Sequence, residues 1–342
     1  MARSSSLALA LFTFAGISAH AQFIVPDSAF AARLNFIVPS AMTGDVLDTL
    51  DASVQGLTYM NVANAWIYDL DGIQYFTGLL MLVCSGNYLT TIPALPDAIQ
   101  ILQCEANDLV SFTSLPNDLT ILQCWENQLT SLPTLPPALD WLVCYENQLT
   151  SLPALPNSIT ELVCSDNALT GLPALPLSLE LLISRNNPSM GALPTLPATL
   201  LNLYCENNGL SGLPALPASL VQLNCNYNAL TSLPTLPPAL VQLQCDGNDL
   251  SALPALPSTL RHLSCTQNQL TALPTLPASL RYLTCYNNVL AGLPALPNAL
   301  SRLDCENNPI GVLPTLPDSL TWLYASNNGL TSLPSLPDTL ET

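Results

Sequence analysis

The stretch Leu119–Ala138 reads LTILQCWENQLTSLPTLPPA, and the same pattern starts again at Leu139. Aligning the chain on it gives a 20-residue unit, LxxLxCxxNxLTxLPxLPxx, in which Leu-Pro-x-Leu-Pro recurs at 132–136, 152–156 and onward to 333–337. Its asparagine stands at Asn87, Asn107, Asn127, Asn147, Asn167 and Asn187, then, after a one-residue insertion, at Asn208, Asn228, Asn248, Asn268, Asn288, Asn308 and Asn328. A fixed period of this length builds a stack of similar coils, each burying its apolar face only against its neighbours. Within a coil, x-Leu-x-Cys-x alternates like a short strand with one buried face, and successive strands stack in parallel at ~4.8 Å. The prolines disfavour helix after the strand and suit a polyproline-like backbone. Each Asn is placed to cap the turn after its strand by bonding backbone groups of its own and neighbouring coils.

This unit resembles the leucine-rich repeat family, specifically its shortest bacterial class, in which extended Leu-Pro segments replace the convex helices. The resemblance covers about residues 57–340. It implies an α/β-type repeat solenoid, a horseshoe with a parallel β-sheet on the concave face, mostly strand and coil with a small helical N-terminal cap. The expected division is a cap with a divergent first coil over 22–78 and repeats over 79–342. In the cap, Pro26-Asp27-Ser28-Ala29-Phe30 reads as a helix start capped by Asp27 or Ser28, with Phe30 and Leu34 on one face. Val46, Leu47 and Leu50 suggest a second helix, and Leu57, Met60, Val62 and Ile67 a divergent first coil. The stretches 24–30 and 69–76 also look like the N-terminal region of bacterial surface leucine-rich repeat proteins, which often carry a C-terminal sorting domain; none is expected in this sequence, which stops at Thr342.

Residues 1–21 carry one early cation, Arg3, an apolar run from Leu7 to Ile17, and Ala19-His20-Ala21, the pattern of a signal peptide cleaved after Ala21. The expected location is therefore secreted or cell-surface. Prolines interrupt every leucine cluster, so no later stretch reads as a membrane span. Six Lys plus Arg against 24 Asp plus Glu give a net charge of −18, which repels phosphate backbones and argues against nucleic acid as a partner. Only 9% of residues are charged while 49% are hydrophobic, so this is not the composition of a disordered acidic tail.

The residues that look chemical read as structural. All eleven cysteines, Cys84 to Cys305, fall on one repeat position that Ser184 and Ala325 fill in two coils, so the position asks for small volume in a core rather than for disulfides. One cysteine per coil forms a column, not the convergent set a zinc ion needs. His262 lies at an outward strand position beside Arg261. The Leu-Pro-x-Leu-Pro repeats also resemble those of secreted bacterial effectors whose separate C-terminal ubiquitin-ligase domain supplies a nucleophilic cysteine; the repeat region of such a longer effector is therefore the alternative to the leading reading, which is non-enzymatic with no cofactor. Glu126, Glu146 and Asp166 share a repeat position in consecutive coils, a set of oxygens that would suit calcium, although a solvated acidic face is the commoner outcome.

Function is sought on the concave columns. Ile121, Trp125, Trp141, Val143 and Tyr145, with Ile101, Val163 and Ile183, put large apolar groups where a solvated strand needs none. Glu126, Glu146, Glu161 and Asp166, with Glu105, Asp140 and Glu180, rim them with acid. Such a centre and rim predict a protein-binding site, with a glycan as the rival ligand and strand packing as the alternative account of the aromatics. A second group, Arg261, Arg281, Tyr282, Tyr286, Arg302, Trp322 and Tyr324, mixes arginine with aromatics as binding hot spots do. Leu336 and Leu340 begin a fourteenth coil, so self-association through an uncapped C-terminal edge is also expected.

Overall fold

The computed structural model describes residues 21–341. The signal peptide expected over 1–21 lies outside them, except for Ala21. A three-stranded antiparallel sheet opens the fold, with β1 (Gln22–Ile24) pairing β3 (Val46–Asp48), which pairs β2 (Met42–Thr43). Helix α1 (Ser28–Ile37) packs beside it, its first turn held by Asp27, whose Oδ1 accepts from Ala29 N at 2.9 Å and Phe30 N at 2.8 Å. Phe30 and Leu34 are fully buried, as the sequence expects. Asp27 Oδ2 accepts from Tyr68 N at 2.7 Å and Asp69 N at 3.2 Å, so one carboxylate ties the cap helix to the first coil.

One expectation fails here. Val46, Leu47 and Leu50 do not form a helix: Gly44, at φ 66°, turns the chain into a hairpin, and Val46–Asp48 is a strand. Of the three, only Leu47 enters the core, while Leu50 is 62% exposed, which is strand alternation rather than a helical stripe. The second helix is the single turn Ala52–Gln55, capped by Asp51.

From Tyr59–Asn61 to Trp322–Tyr324, fourteen parallel three-residue strands stack in sequence order into one sheet. This is a solenoid whose sheet lines the concave side. From Ile101–Gln103 to Arg302–Asp304 the central leucine of each strand is buried and both flanking residues reach solvent. The register puts repeat-equivalent residues side by side, as in Ile121↔Trp141↔Glu161. Met60, Val62 and Ile67 are buried, and the strand Tyr59–Asn61 pairs in parallel with Met81–Val83. The Leu-Pro segments contain no regular element, and each coil closes through a turn such as Leu139 N donating to Pro136 O at 3.1 Å.

The asparagines bridge coils. Asn127 Nδ2 donates to Cys104 O and Cys124 O at 3.1 and 3.2 Å, and its Oδ1 accepts from Leu109 N at 3.0 Å, a pattern that recurs along the stack. The insertion between Asn187 and Asn208 is absorbed in the turn. Met190 takes the buried leucine position, Gly191 adopts φ 70°, and Asn208 Oδ1 accepts from Asn187 N at 2.8 Å. All eleven cysteines are free and buried. Several thiols point along the stack, as Cys104 Sγ does toward Gln123 O at 3.4 Å and Cys225 Sγ toward Gln244 O at 3.4 Å. Burial is the leading cause that pushes Cys144 and Cys305 up to about 12, so the thiolate needed for reactivity is suppressed.

Candidate binding face of the sheet

Side chains at the first and third strand positions, and at the residue after the cysteine, point out of the sheet on one face because strand alternation has period two. Read along the stack, the column after the cysteine runs Glu105, Trp125, Tyr145, Ser165, Arg185, Glu206. Trp125 and Tyr145 stack across adjacent coils, ring centroids 5.1 Å apart and planes 6° from parallel. Trp141 belongs to a different column, between Ile121 and Glu161, is 38% exposed, and makes no ring contact among the described residues. Val143 sits between Trp141 and Tyr145 on the same face, half-buried, with Val163 beside it in the ladder. Trp125, Trp141 and Tyr145 thus form a stacked pair plus a separate indole, spaced by a valine.

The acids divide by backbone. Glu126, Glu146 and Asp166 lie at φ 54°, 51° and 53°, a left-handed position that recurs in every coil from Asn64 to Asn327. Glu126 and Glu146 are exposed at the rim; Asp166 Oδ1 accepts from Asn186 Nδ2 at 2.6 Å, which continues to Asn207 as a ladder of side-chain amides. Among the described residues no three His, Cys, Asp or Glu side chains converge to hold a metal ion. Glu161 is half-buried, and desolvation, then Asp140 and Glu180, hold its carboxyl above the usual range. Desolvation, then Glu146, Glu126 and Glu105, raise the Tyr145 phenol likewise. Glu105 Oε2 is enclosed with no hydrogen-bond partner among the described residues. Arg185 borders the patch one coil beyond Asp166 and pairs with Glu206 at 3.8 Å. Its place in the column of Trp125 and Tyr145 follows from the 20-residue spacing, the signal in the sequence that marks it as a neighbour of the patch.

Toward the far end the second group also falls into columns. His262, Tyr282, Arg302 and Trp322 are ladder neighbours. The His262 ring meets Tyr282 edge-on at 4.6 Å, and the Arg302 guanidinium lies 5.4 Å from the Tyr324 ring centre. Desolvation, then Arg261 and Arg281, hold His262 below the usual imidazole value, so it adds no charge at neutral pH.

No protein-family model matches the sequence, and no curated protein matches it. Solved structures do. YopM, a leucine-rich effector protein from Yersinia pestis, is 34% identical over 82% of this chain and 86% of its own, with a TM-score of 0.70. The chain belongs to the leucine-rich repeat family. YopM from Yersinia enterocolitica WA-314 is 31% identical over 83% of this leucine-rich repeat chain and 77% of its own, TM-score 0.64. The functional domain of InlJ from Listeria monocytogenes, which includes a cysteine ladder, is 25% identical over 90% and 71%, TM-score 0.65. These bacterial leucine-rich repeat proteins support a protein-interaction repeat module. No helix among the described residues is long and apolar enough to cross a membrane.

Proposed function

We propose that this chain is an exported, non-enzymatic scaffold that binds a protein on its concave sheet, with Trp125, Tyr145, Trp141, Val143 and Ile121 as the apolar centre. Glu126, Glu146, Glu161 and Asp166 form the rim. The observation that carries this reading is the stacked Trp125–Tyr145 pair standing with an exposed Trp141 on one sheet face, surrounded by carboxylates. Interface centres use aromatic anchors and leave charge to the rim, where it sets association rate. The acid excess favours a partner with a basic surface.

The test is a comparison of baits: the wild-type chain, Trp141→Ala, and Glu126→Gln with Glu146→Gln, each presented to the same extracellular proteins with quantitative mass spectrometry. Proteins held by the wild type should be lost with Trp141→Ala and weakened, more at low salt, with the Glu variants. Equal retention by all three baits would remove the concave face from the reading. Export with cleavage after Ala21 is part of the proposal, and N-terminal sequencing that starts elsewhere than Gln22 would correct it. Self-association belongs to it as well: Leu333 and Leu336, in the Leu-Pro segment that follows the last strand, are exposed, and a sedimentation coefficient independent of concentration would exclude it.

A further inference from the structure

At the first two coils an aromatic group stands on the turn edge, away from the concave columns. Trp66 and Tyr88 occupy equivalent positions of successive coils, two residues past the left-handed Asn64 and Gly86. Their rings lie 5.8 Å apart at 49°, and Tyr68 stacks on Tyr88 at 5.0 Å and 16°. Core formation does not account for the cluster, since Trp66 is 69% exposed and Tyr68 64%. Trp66 itself has φ 64°, a conformation that bulky residues adopt only when their surroundings impose it.

A cavity of about 210 Å³ opens between Asn64, Trp66, Gly86 and Tyr88. A second cavity of about 210 Å³ shares Tyr88 and is bounded by Ala106, Asp108 and Glu126. Gly86 shapes the first. A Cβ at that position would stand 2.2 Å from Asn64 Oδ1. The next coil carries Ala106 in the same left-handed backbone at φ 53°, so the backbone alone does not demand glycine. The missing Cβ leaves the Asn64 amide at the cavity wall.

The walls therefore offer exposed aromatic faces, a side-chain amide and carboxylates, and among the described residues no cation lines them, Arg33 being held on Ala63 O at 3.2 Å beside Asn64. Aromatic faces take the C–H faces of sugar rings, amides and carboxylates take hydroxyl groups, and carboxylates repel anionic sugars. The cavities are smaller than those that enclose drug-sized ligands, and each suits a small unit of a chain rather than a compact cofactor. We propose that this edge binds a neutral oligosaccharide, one ring on Trp66 against Asn64 and the next across Tyr88 toward Asp108. The proposal stands independently of the concave protein-binding reading.

The four tryptophans give four indole resonances in the nitrogen-15-labelled chain, each a reporter for one place in the fold. Cellotetraose, maltotetraose, chitotetraose and, as the anionic control, tetragalacturonate are titrated in turn. At least one neutral tetrasaccharide should shift the Trp66 indole saturably and leave Trp125 and Trp141 unmoved, and tetragalacturonate should not. By calorimetry, Trp66→Ala and Tyr88→Ala, each still folded at the titration temperature, should weaken that ligand about tenfold or more, equivalent to about 1.4 kcal/mol. Gly86→Ala should weaken it too, by displacing Asn64. The proposal is overturned if no neutral saccharide shifts Trp66, if the shifts fall on Trp125 or Trp141 instead, or if Trp66→Ala binds as the wild type does.

Discussion

The asparagine column is the clearest single-residue device in the molecule. Asn248 Nδ2 donates to Cys225 O and Cys245 O, and its Oδ1 accepts from Leu230 N, all at 3.1 Å and all buried. Removing one partner of a buried bond leaves the other unsatisfied at about 1–3 kcal/mol, so Asn248→Ala should cost about 3 kcal/mol in urea denaturation. A loss below about 1 kcal/mol would mean that water replaces the amide. Ser184 offers the converse. It fills the cysteine column, is fully buried, and its Oγ has no partner among the described residues. Ser184→Cys should therefore stabilise by about 1 kcal/mol, and a destabilised variant would show that the hydroxyl is satisfied in solution.

At the scale of elements, α1 depends on one carboxylate. Asp27 caps its first turn and also accepts two N–H groups of the first coil. Asp27→Ala should cost about 2 kcal/mol, the upper end for a lost cap, and hydrogen exchange over 28–37 should rise before that of the repeats. Uniform exchange would mean that cap and repeats open together. On the sheet, the Trp125–Tyr145 stack joins two strands, and such pairs are worth about 0.5–1.5 kcal/mol beyond their buried area. Trp125→Ala should lower the melting point measurably. Trp141→Ala, which breaks no ring contact, should change it little, making it the cleaner probe of binding.

For the whole molecule, stability accrues coil by coil, so buried thiols become reachable only when coils open. Iodoacetamide should label the eleven cysteines in denaturant and leave them unmodified in buffer; rapid native labelling would contradict the buried column. The acidic face predicts a pH response. Glu161 is raised from 4.5 by desolvation and then by Asp140 and Glu180. A raised carboxyl binds its proton more tightly folded than unfolded, so its contribution is present below 4.5 and is lost as pH rises through the folded value. Glu161→Gln should therefore melt higher than the wild type at pH 8 and equal to it near pH 4, and a constant difference across that range would sink the assignment.

The repeat by itself determines most of the fold, because period-two alternation decides which side of a strand is buried and a 20-residue spacing decides which residues become neighbours. Leu122, Cys124 and Asn127 were readable for that reason, and so were the columns that hold Trp125, Trp141 and Glu161. Tertiary structure decided what spacing cannot encode. The left-handed position accepts Gly86, Ala106, Glu126, Tyr227 and Gln267 alike, so no residue type announced it. Val46–Asp48 became a strand because a hairpin partner was available, not through its own pattern. Trp66 and Tyr88 fall outside the 20-residue columns because 22 residues separate the first two strands. Sequence sets which residues share a column, so Trp125 meets Tyr145 while Trp141 lies between Ile121 and Glu161; the tertiary structure decides that the first pair lies ring on ring, 6° from parallel.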